Sequence, residues 1–490
     1  MLRAQNKAPE AADILQKSRE QNEANLAKDA DRANLVMLLR YHQAAALREA
    51  GKLPEARALF DAVVKQSLKS AEGVEAALRF GQTLKEEGLL RIEAGKKLLQ
   101  NPKETAKGQN EIGEGFKIVR DAGTYLESTA DQLKAEPSFL EPRARMLYEA
   151  AWVNRIVAGP EIEAAQLAVA KDLAAKAGPA AAKLPLPRVA LHQTPVTPAE
   201  KKARDLYKSL IDQFGETPLS LDARFELAEL QSQRNELDAA AALLNDVLDK
   251  EPNVDLTEKI RLRLGAILLA KGNTKGAMAQ FEAVARNPKS QNLGWALYRS
   301  GDVLIAEKQY PEAIKRLVTF RDNGQYQNIP GLSDRALLRL GHAYALQKAW
   351  AESYQAFERV AAAFPNSPWI DDARYGMGWA LQQQKNHDAA VNNYLIVVGR
   401  TAAELGAKAQ FQIGVCRLEQ KRFPDAATAF LAVPTTYDYP ELSAAALLEA
   451  ATAYRESGNR EQMVRLLERV TRDYPDTPFA AAAKERLEAK

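Results

Sequence analysis

Four histidines, His42, His192, His342 and His387, and one cysteine, Cys416, are the residues of this 490-residue chain whose types most readily do chemistry. The histidines lie too far apart to form a helical metal site, in which two imidazoles one turn apart share a face. A single cysteine excludes an intramolecular disulfide and any metal site built on paired thiolates. No GxSxG nucleophile turn, GxxxxGK[ST] phosphate loop or GxGxxG fingerprint occurs. "GEG" at 113–115 lacks the third glycine, and "GNTKG" at 272–276 reads as a turn between helices. Carboxylates are abundant, but they alternate with Lys and Arg at helical spacing, which is the pattern of a solvated face. The sequence therefore predicts no catalytic residue, no cofactor and no metal, and points to recognition rather than reaction.

Composition narrows the partners. The 67 basic and 64 acidic residues leave a net charge of +3, which gives nucleic acid or an anionic membrane no general attraction. No run approaches the roughly 18 apolar residues of a membrane span. The start, "MLRAQNKAPEAADILQ", has no apolar core of a signal peptide and already reads as helix. The chain as written is thus expected in the cytoplasm, and in the periplasm or cell envelope if an upstream signal precedes it. Ala, Leu, Glu, Lys, Gln and Arg dominate, so helix is the expected element. The length calls for several domains or an elongated array.

Self-comparison finds the array. Small residues recur at Ala228, Gly265, Gly301, Gly341, Gly378, Gly414 and Ala451, at intervals of 37, 36, 40, 37, 36 and 37 residues. Twelve positions on come Ala240, Ala277, Ala313, Ser353, Ala390, Ala426 and Met463. Four further stand Leu244, Phe281, Leu317, Phe357, Tyr394, Phe430 and Leu467, and three beyond those a Val or Phe. Each unit reads as two helices joined by a tight turn, with small residues letting the backbones approach and bulky ones filling the flanks. Gly341, in "LRLGHAYALQKAWAESYQAFERVAAAFP", costs a helix about 1 kcal/mol against alanine, and packing inside the hairpin offsets it.

This pattern resembles the tetratricopeptide (TPR) repeat, whose small residue, aromatic, small residue, bulky residue and late proline stand here as Gly341, Tyr344, Ser353, Phe357 and Pro365. The early Trp of that family is absent. The resemblance covers residues 221–478 and implies an all-α fold, a right-handed superhelix of seven helical hairpins. Three helix ends, "FGETP" (214–218), "FPNSP" (364–368) and "YPDTP" (474–478), further resemble bacterial cell-envelope TPR proteins of the outer-membrane-assembly and Tol–Pal coordinator types.

The remainder is predicted as follows. Residues 1–177 form an irregular helical, TPR-like region, with one further unit at Ala44, Ala56, Phe60 and Val63. Two long glycine-bearing helices follow (about 71–100 and 103–135), and then helices near 140–158 and 160–177. Residues 178–198 hold five prolines and form a linker. Residues 199–490 form the array, with a lone capping helix at 199–213 and a polar cap from 478.

In such arrays the first helix of each unit lines a concave groove, and the resemblance places Trp295, Tyr298, Arg335, His342, Tyr375, Trp379 and Phe411 in it, with Arg299 and Arg339 alongside. Trp, Tyr, Phe and Arg are the residues of protein-recognition surfaces. Asp222, Glu229, Asp302 and Asp372 in the same groove oppose a phosphate backbone. The expected function is a non-catalytic scaffold that holds a segment of another protein. The alternatives are a cell-envelope component and a helical accessory arm of an enzyme complex.

Overall fold

The computed structural model describes residues 3–29, 32–176, 186, 189–215, 217–250, 253–401 and 403–488. Among them every regular element is helical. The chain divides into two compact units, Met1–Val169 with Val189–Leu256, and Ala170–Arg188 with Thr257–Lys490.

The first unit opens with α1 (Ala8–Leu26), α2 (Ala33–Glu49) and α3 (Leu53–Gln66), followed by three long helices, α4 (Ala71–Leu98), α5 (Thr105–Gln132) and α6 (Leu140–Lys176). Its departure from the repeat lies in helix length, because α4 and α5 run unbroken through their glycines. Those glycines form a seam. Cβ atoms added at Gly88 and Gly95 would stand 2.7 Å from the carbonyl oxygens of Gly115 and Gly108, so the α4 and α5 backbones touch where larger residues would hold them apart. The two helices expected at 140–158 and 160–177 are one helix, α6, with Pro160 inside it. Val153, Val157 and Ala158 are buried around the proline, and that packing carries the helix through a residue that removes one backbone bond.

Helix α7 (Pro198–Phe214) is a core element rather than a peripheral cap. Its Ala203, Leu206, Tyr207 and Leu210 are buried with Met146 and Leu147 of α6 and with Leu227 of α8 (Pro218–Gln233). Helix α9 (Leu237–Asp249) completes the unit. The expected linker, 178–198, lies partly outside the described residues. Its described end is fastened by Arg234, which donates to the carbonyls of Leu191 (2.6 Å) and Thr194 (2.5 Å) and pairs with Glu200, both charged side chains being almost fully buried.

The second unit is a run of hairpins. Helix α10 (Val254–Ala270), which begins at the junction, packs its Gly265 on Phe281 of α11 (Thr274–Ala285), and α12 (Leu293–Ala306) pairs with α13 (Tyr310–Leu317). A short α14 (Thr319–Asp322) and one 3-10 turn then account for the 40-residue interval. Next come α15 (Ser333–Leu346) with α16 (Trp350–Ala363), α17 (Ile370–Gln383) with α18 (His387–Arg400), and α19 (Glu404–Glu419) with α20 (Phe423–Thr436). The last pair, α21 (Pro440–Glu456) with α22 (Arg460–Asp473), is followed by α23 (Pro478–Glu488).

One geometry repeats in these hairpins. A Cβ at Gly341 would lie 2.6 Å from the Phe357 ring, and one at Gly376 would lie 2.5 Å from the other side of the same ring. Phe357 is thus clamped between the first helices of two successive hairpins and is 1% exposed. Burying such a ring stabilises by about 2–3 kcal/mol. Gly265, Gly301, Gly378 and Gly414 receive Phe281, Leu317, Tyr394 and Phe430 in the same way. The Ser353 hydroxyl donates to the Gly341 carbonyl at 2.9 Å, so the second small residue sits beside the first.

Every first helix ends alike. Seven residues past the small position the backbone turns left-handed, at Lys308, Lys348, Lys385, Lys421 and Gly458 among others. The next amide then donates back five residues, as Ala349 does to Tyr344 at 2.9 Å.

Candidate protein-binding face

The first helices α12, α15, α17, α19 and α21 lie side by side and touch in sequence. The nine residues singled out above stand on α12, α15, α17 and α19, in unequal surroundings.

Three of them, Tyr298, Arg299 and Arg339, converge on Asp302. Asp302, on α12, has a side chain only 10% exposed and accepts from Arg339 of α15 at 2.8 Å, with Arg299 at 3.7 Å. The nearby Tyr298 hydroxyl also favours its charged form. Burial pushes the Asp302 carboxyl up, against the lowering pull of Arg339 and Arg299. The Arg299 guanidinium lies 5.4 Å over the Tyr298 ring, and Trp295 meets that ring edge-on at 6.2 Å. Helix spacing explains the grouping, since residues 295, 298, 299 and 302 fall on one stripe at intervals of three and four. Arg339 reaches in from the neighbouring helix and keeps 44% of its side chain exposed.

The other residues serve mainly in packing. His342 sits against Phe357 at 5.2 Å, Tyr375 against Tyr394 at 5.4 Å and Phe411 against Phe430 at 5.2 Å. In each case a face residue backs the bulky residue of its own hairpin. Burial and the nearby Arg339 push His342 down to about 4, so it is neutral at neutral pH. Trp379 is half-buried on α17, as Trp295 is on α12.

Arg335 stands apart, its guanidinium 5.6 Å over the ring of Trp369. The Arg335 Nε and the Trp369 Nε1 are both buried with no hydrogen-bond partner among the described residues. Sequence reasoning missed Trp369. It lies in the loop before α17, outside the helical register, and its only signal is its place directly after "FPNSP". That segment works as a tie: Ser367 donates to Asp334 at 2.6 Å and accepts from the Trp369 amide at 3.1 Å. Thr217 similarly caps α8. Local hydrogen bonding thus employs the Ser and Thr of these segments, with Thr477 donating to the Tyr474 carbonyl at 2.9 Å.

No helix among the described residues is long and apolar enough to cross a membrane. None of them form a group of three or more His, Cys, Asp or Glu able to hold a metal.

Comparison with known proteins agrees with the repeat. Residues 189–317 match the tetratricopeptide repeat-like domain, residues 292–368 and 375–439 match a tetratricopeptide repeat family, and residues 445–477 match a second such family. No curated protein matches the chain. Among solved structures it is similar to a tetratricopeptide repeat protein from Parabacteroides merdae (14% identity, 55% of this chain and 97% of that one, TM-score 0.38). It is also similar to YrrB, described as a TPR protein with an unusual peptide-binding site (20% identity, 42% of this chain and 97% of that one, TM-score 0.32). A third is the apo form of RapI (14% identity, 55% of this chain and 99% of that one, TM-score 0.38). Across residues 189–368, 375–439 and 445–477, this chain is built of tetratricopeptide repeats.

Proposed function

We propose that the chain is a non-catalytic protein-binding scaffold, and that the face formed by α12, α15 and α17 receives a segment of another polypeptide. The observation that carries this reading is the Arg299–Asp302–Arg339 cluster. A buried carboxylate fixes two guanidiniums from successive helices, and one of them stays 44% exposed beside the half-buried Trp295. An arginine held in place loses little freedom on binding, and its fork matches carboxylate and carbonyl oxygens. Trp295 and Trp379 supply apolar contact, and the face accordingly suits an acidic or carbonyl-rich segment with apolar side chains.

The test is capture from native cell extract by the wild-type chain and by a Trp295→Ala/Trp379→Ala variant of equal helicity and melting temperature. A protein held by the wild type and released by the variant supports the reading, and equal capture contradicts it.

The cell-envelope setting is a second reading, which rests on the three helix-end segments. It changes the compartment in which a partner is sought and leaves the binding face the same.

A further inference from the structure

At the end of the array a cavity of about 450 Å³ opens between α21, α22 and α23. Three arginines, Arg455, Arg460 and Arg486, line it together with Thr452 and the apolar Met463 and Leu467, and among the described residues no carboxylate lines it. We propose that this cavity binds an oxyanion, a carboxylate or phosphate, carried on an apolar body. The proposal goes beyond the scaffold reading and does not involve the Asp302 cluster.

The arginines break the repeat. Nine residues past the small position, where Arg460 stands, the four preceding hairpins carry Tyr310, Trp350, His387 and Phe423. Four residues past it, at the offset of Arg455, those hairpins carry only neutral residues, such as Ile305 and Leu418. Arg486 lies three residues beyond Ala483, the offset at which Gly376 follows Ala373 and closes on the Phe357 ring. An arginine at that offset cannot close on a neighbour as glycine does, which leaves room over Leu467.

The existing partners leave the cavity's charge largely uncompensated. Arg486 donates to neutral acceptors, the Thr452 hydroxyl at 2.9 Å and the Leu448 carbonyl at 3.5 Å. Arg455 donates to Glu456, its exposed chain neighbour, at 2.9 Å. Arg460 has neither an ion pair nor a hydrogen bond among the described residues. Three like charges around one cavity repel one another, and a bound oxyanion converts that repulsion into charge-assisted hydrogen bonds. Met463 and Leu467 beneath them offer an apolar wall to the rest of the ligand.

The test uses the full chain labelled with 13C at its methionine methyls. Only six methionines are present, and Met463→Leu identifies the reporter signal. The probes are hexanoate, hexyl phosphate and the neutral hexanamide. The expected result is a saturable shift of the Met463 methyl with hexanoate, hexyl phosphate or both, at least tenfold tighter than with hexanamide. It should weaken about tenfold in Arg460→Gln and in Arg455→Gln, two exposed positions whose variants keep the wild-type melting temperature. The tighter of the two anions names the headgroup. An unmoved Met463 signal with both anions, an equal response to hexanamide, or full affinity in both variants would overturn the proposal. Any of these would leave the arginines as the polar cap of a terminal repeat.

Discussion

Arg339 and Asp302 lie 37 residues apart in sequence, on the first helices of successive hairpins, and meet at 2.8 Å. The contact joins the architecture to the proposed function, because the carboxylate that ties two repeats together also aims the exposed arginine. Its two partners are unequal. Arg339→Ala leaves a nearly buried carboxylate with Arg299 at 3.7 Å as its remaining ion-pair partner and is expected to lower stability by about 1 kcal/mol, a figure discounted for the exposure of Arg339. Asp302→Asn removes a charge that burial already disfavours and should cost less. Urea unfolding of the two variants checks the order.

The glycine clamp predicts a contrast between two alanine substitutions. Gly341→Ala drives a methyl into the Phe357 ring and is expected to destabilise by about 1–3 kcal/mol. Gly399→Ala, in the last turn of α18 with open space around its would-be Cβ, is expected to stabilise by a few tenths to about 1 kcal/mol. Thermal melting followed by helical circular dichroism should move in opposite directions for the two.

His342 makes stability fall with acidification. Its folded-state value is pushed down to about 4, first by burial and then by Arg339, whereas an unfolded histidine titrates near 6.5. Between those values the unfolded chain holds a proton that the folded chain refuses, so stability is lost as pH falls through about 6.5 toward 4. The slope is at most about 1.4 kcal/mol per pH unit. Asp302, shifted upward, works in the opposite direction. His342→Leu should flatten this part of the profile, and the difference between wild type and variant isolates the histidine.

In the first unit, Arg234 is expected to be the most sensitive single side chain. It pairs with the buried Glu200 and satisfies the carbonyls of Leu191, Thr194 and Pro195. Arg234→Ala strands that carboxylate with Arg204 at 3.3 Å as its remaining ion-pair partner, and the loss should be about 3–5 kcal/mol. Faster proteolysis between residues 189 and 197, alongside the lower melting temperature, would show that the segment has come loose.

What the sequence disclosed, and what it hid, follows from range. Gly341, Ser353 and Phe357 are legible because a hairpin brings together residues 12 and 16 apart at a fixed period. Lys348 was not legible as a left-handed residue, since lysine carries none of the turn preference of glycine. Pro160 read as a break because the packing of Val153 and Val157 that overrides it comes from other helices. Trp369 and the Arg234–Glu200 pair were hidden for a similar reason. One lies in a loop, and the other joins two helices and a strap whose approach only the folded chain defines. Among the candidate binding residues, types and spacing picked out the stripe at 295–302, but not that Tyr375 and Phe411 turn toward their own hairpins.

The scaffold reading is tested most directly by placing a photo-crosslinking amino acid at position 339, at position 379 and, as a control, at exposed Ile396 on α18, in cells that make this protein. The account predicts that one polypeptide crosslinks from 339 and 379 and not from 396, and that raised salt weakens the capture. Crosslinking of that polypeptide from 396 with equal or greater yield would contradict it.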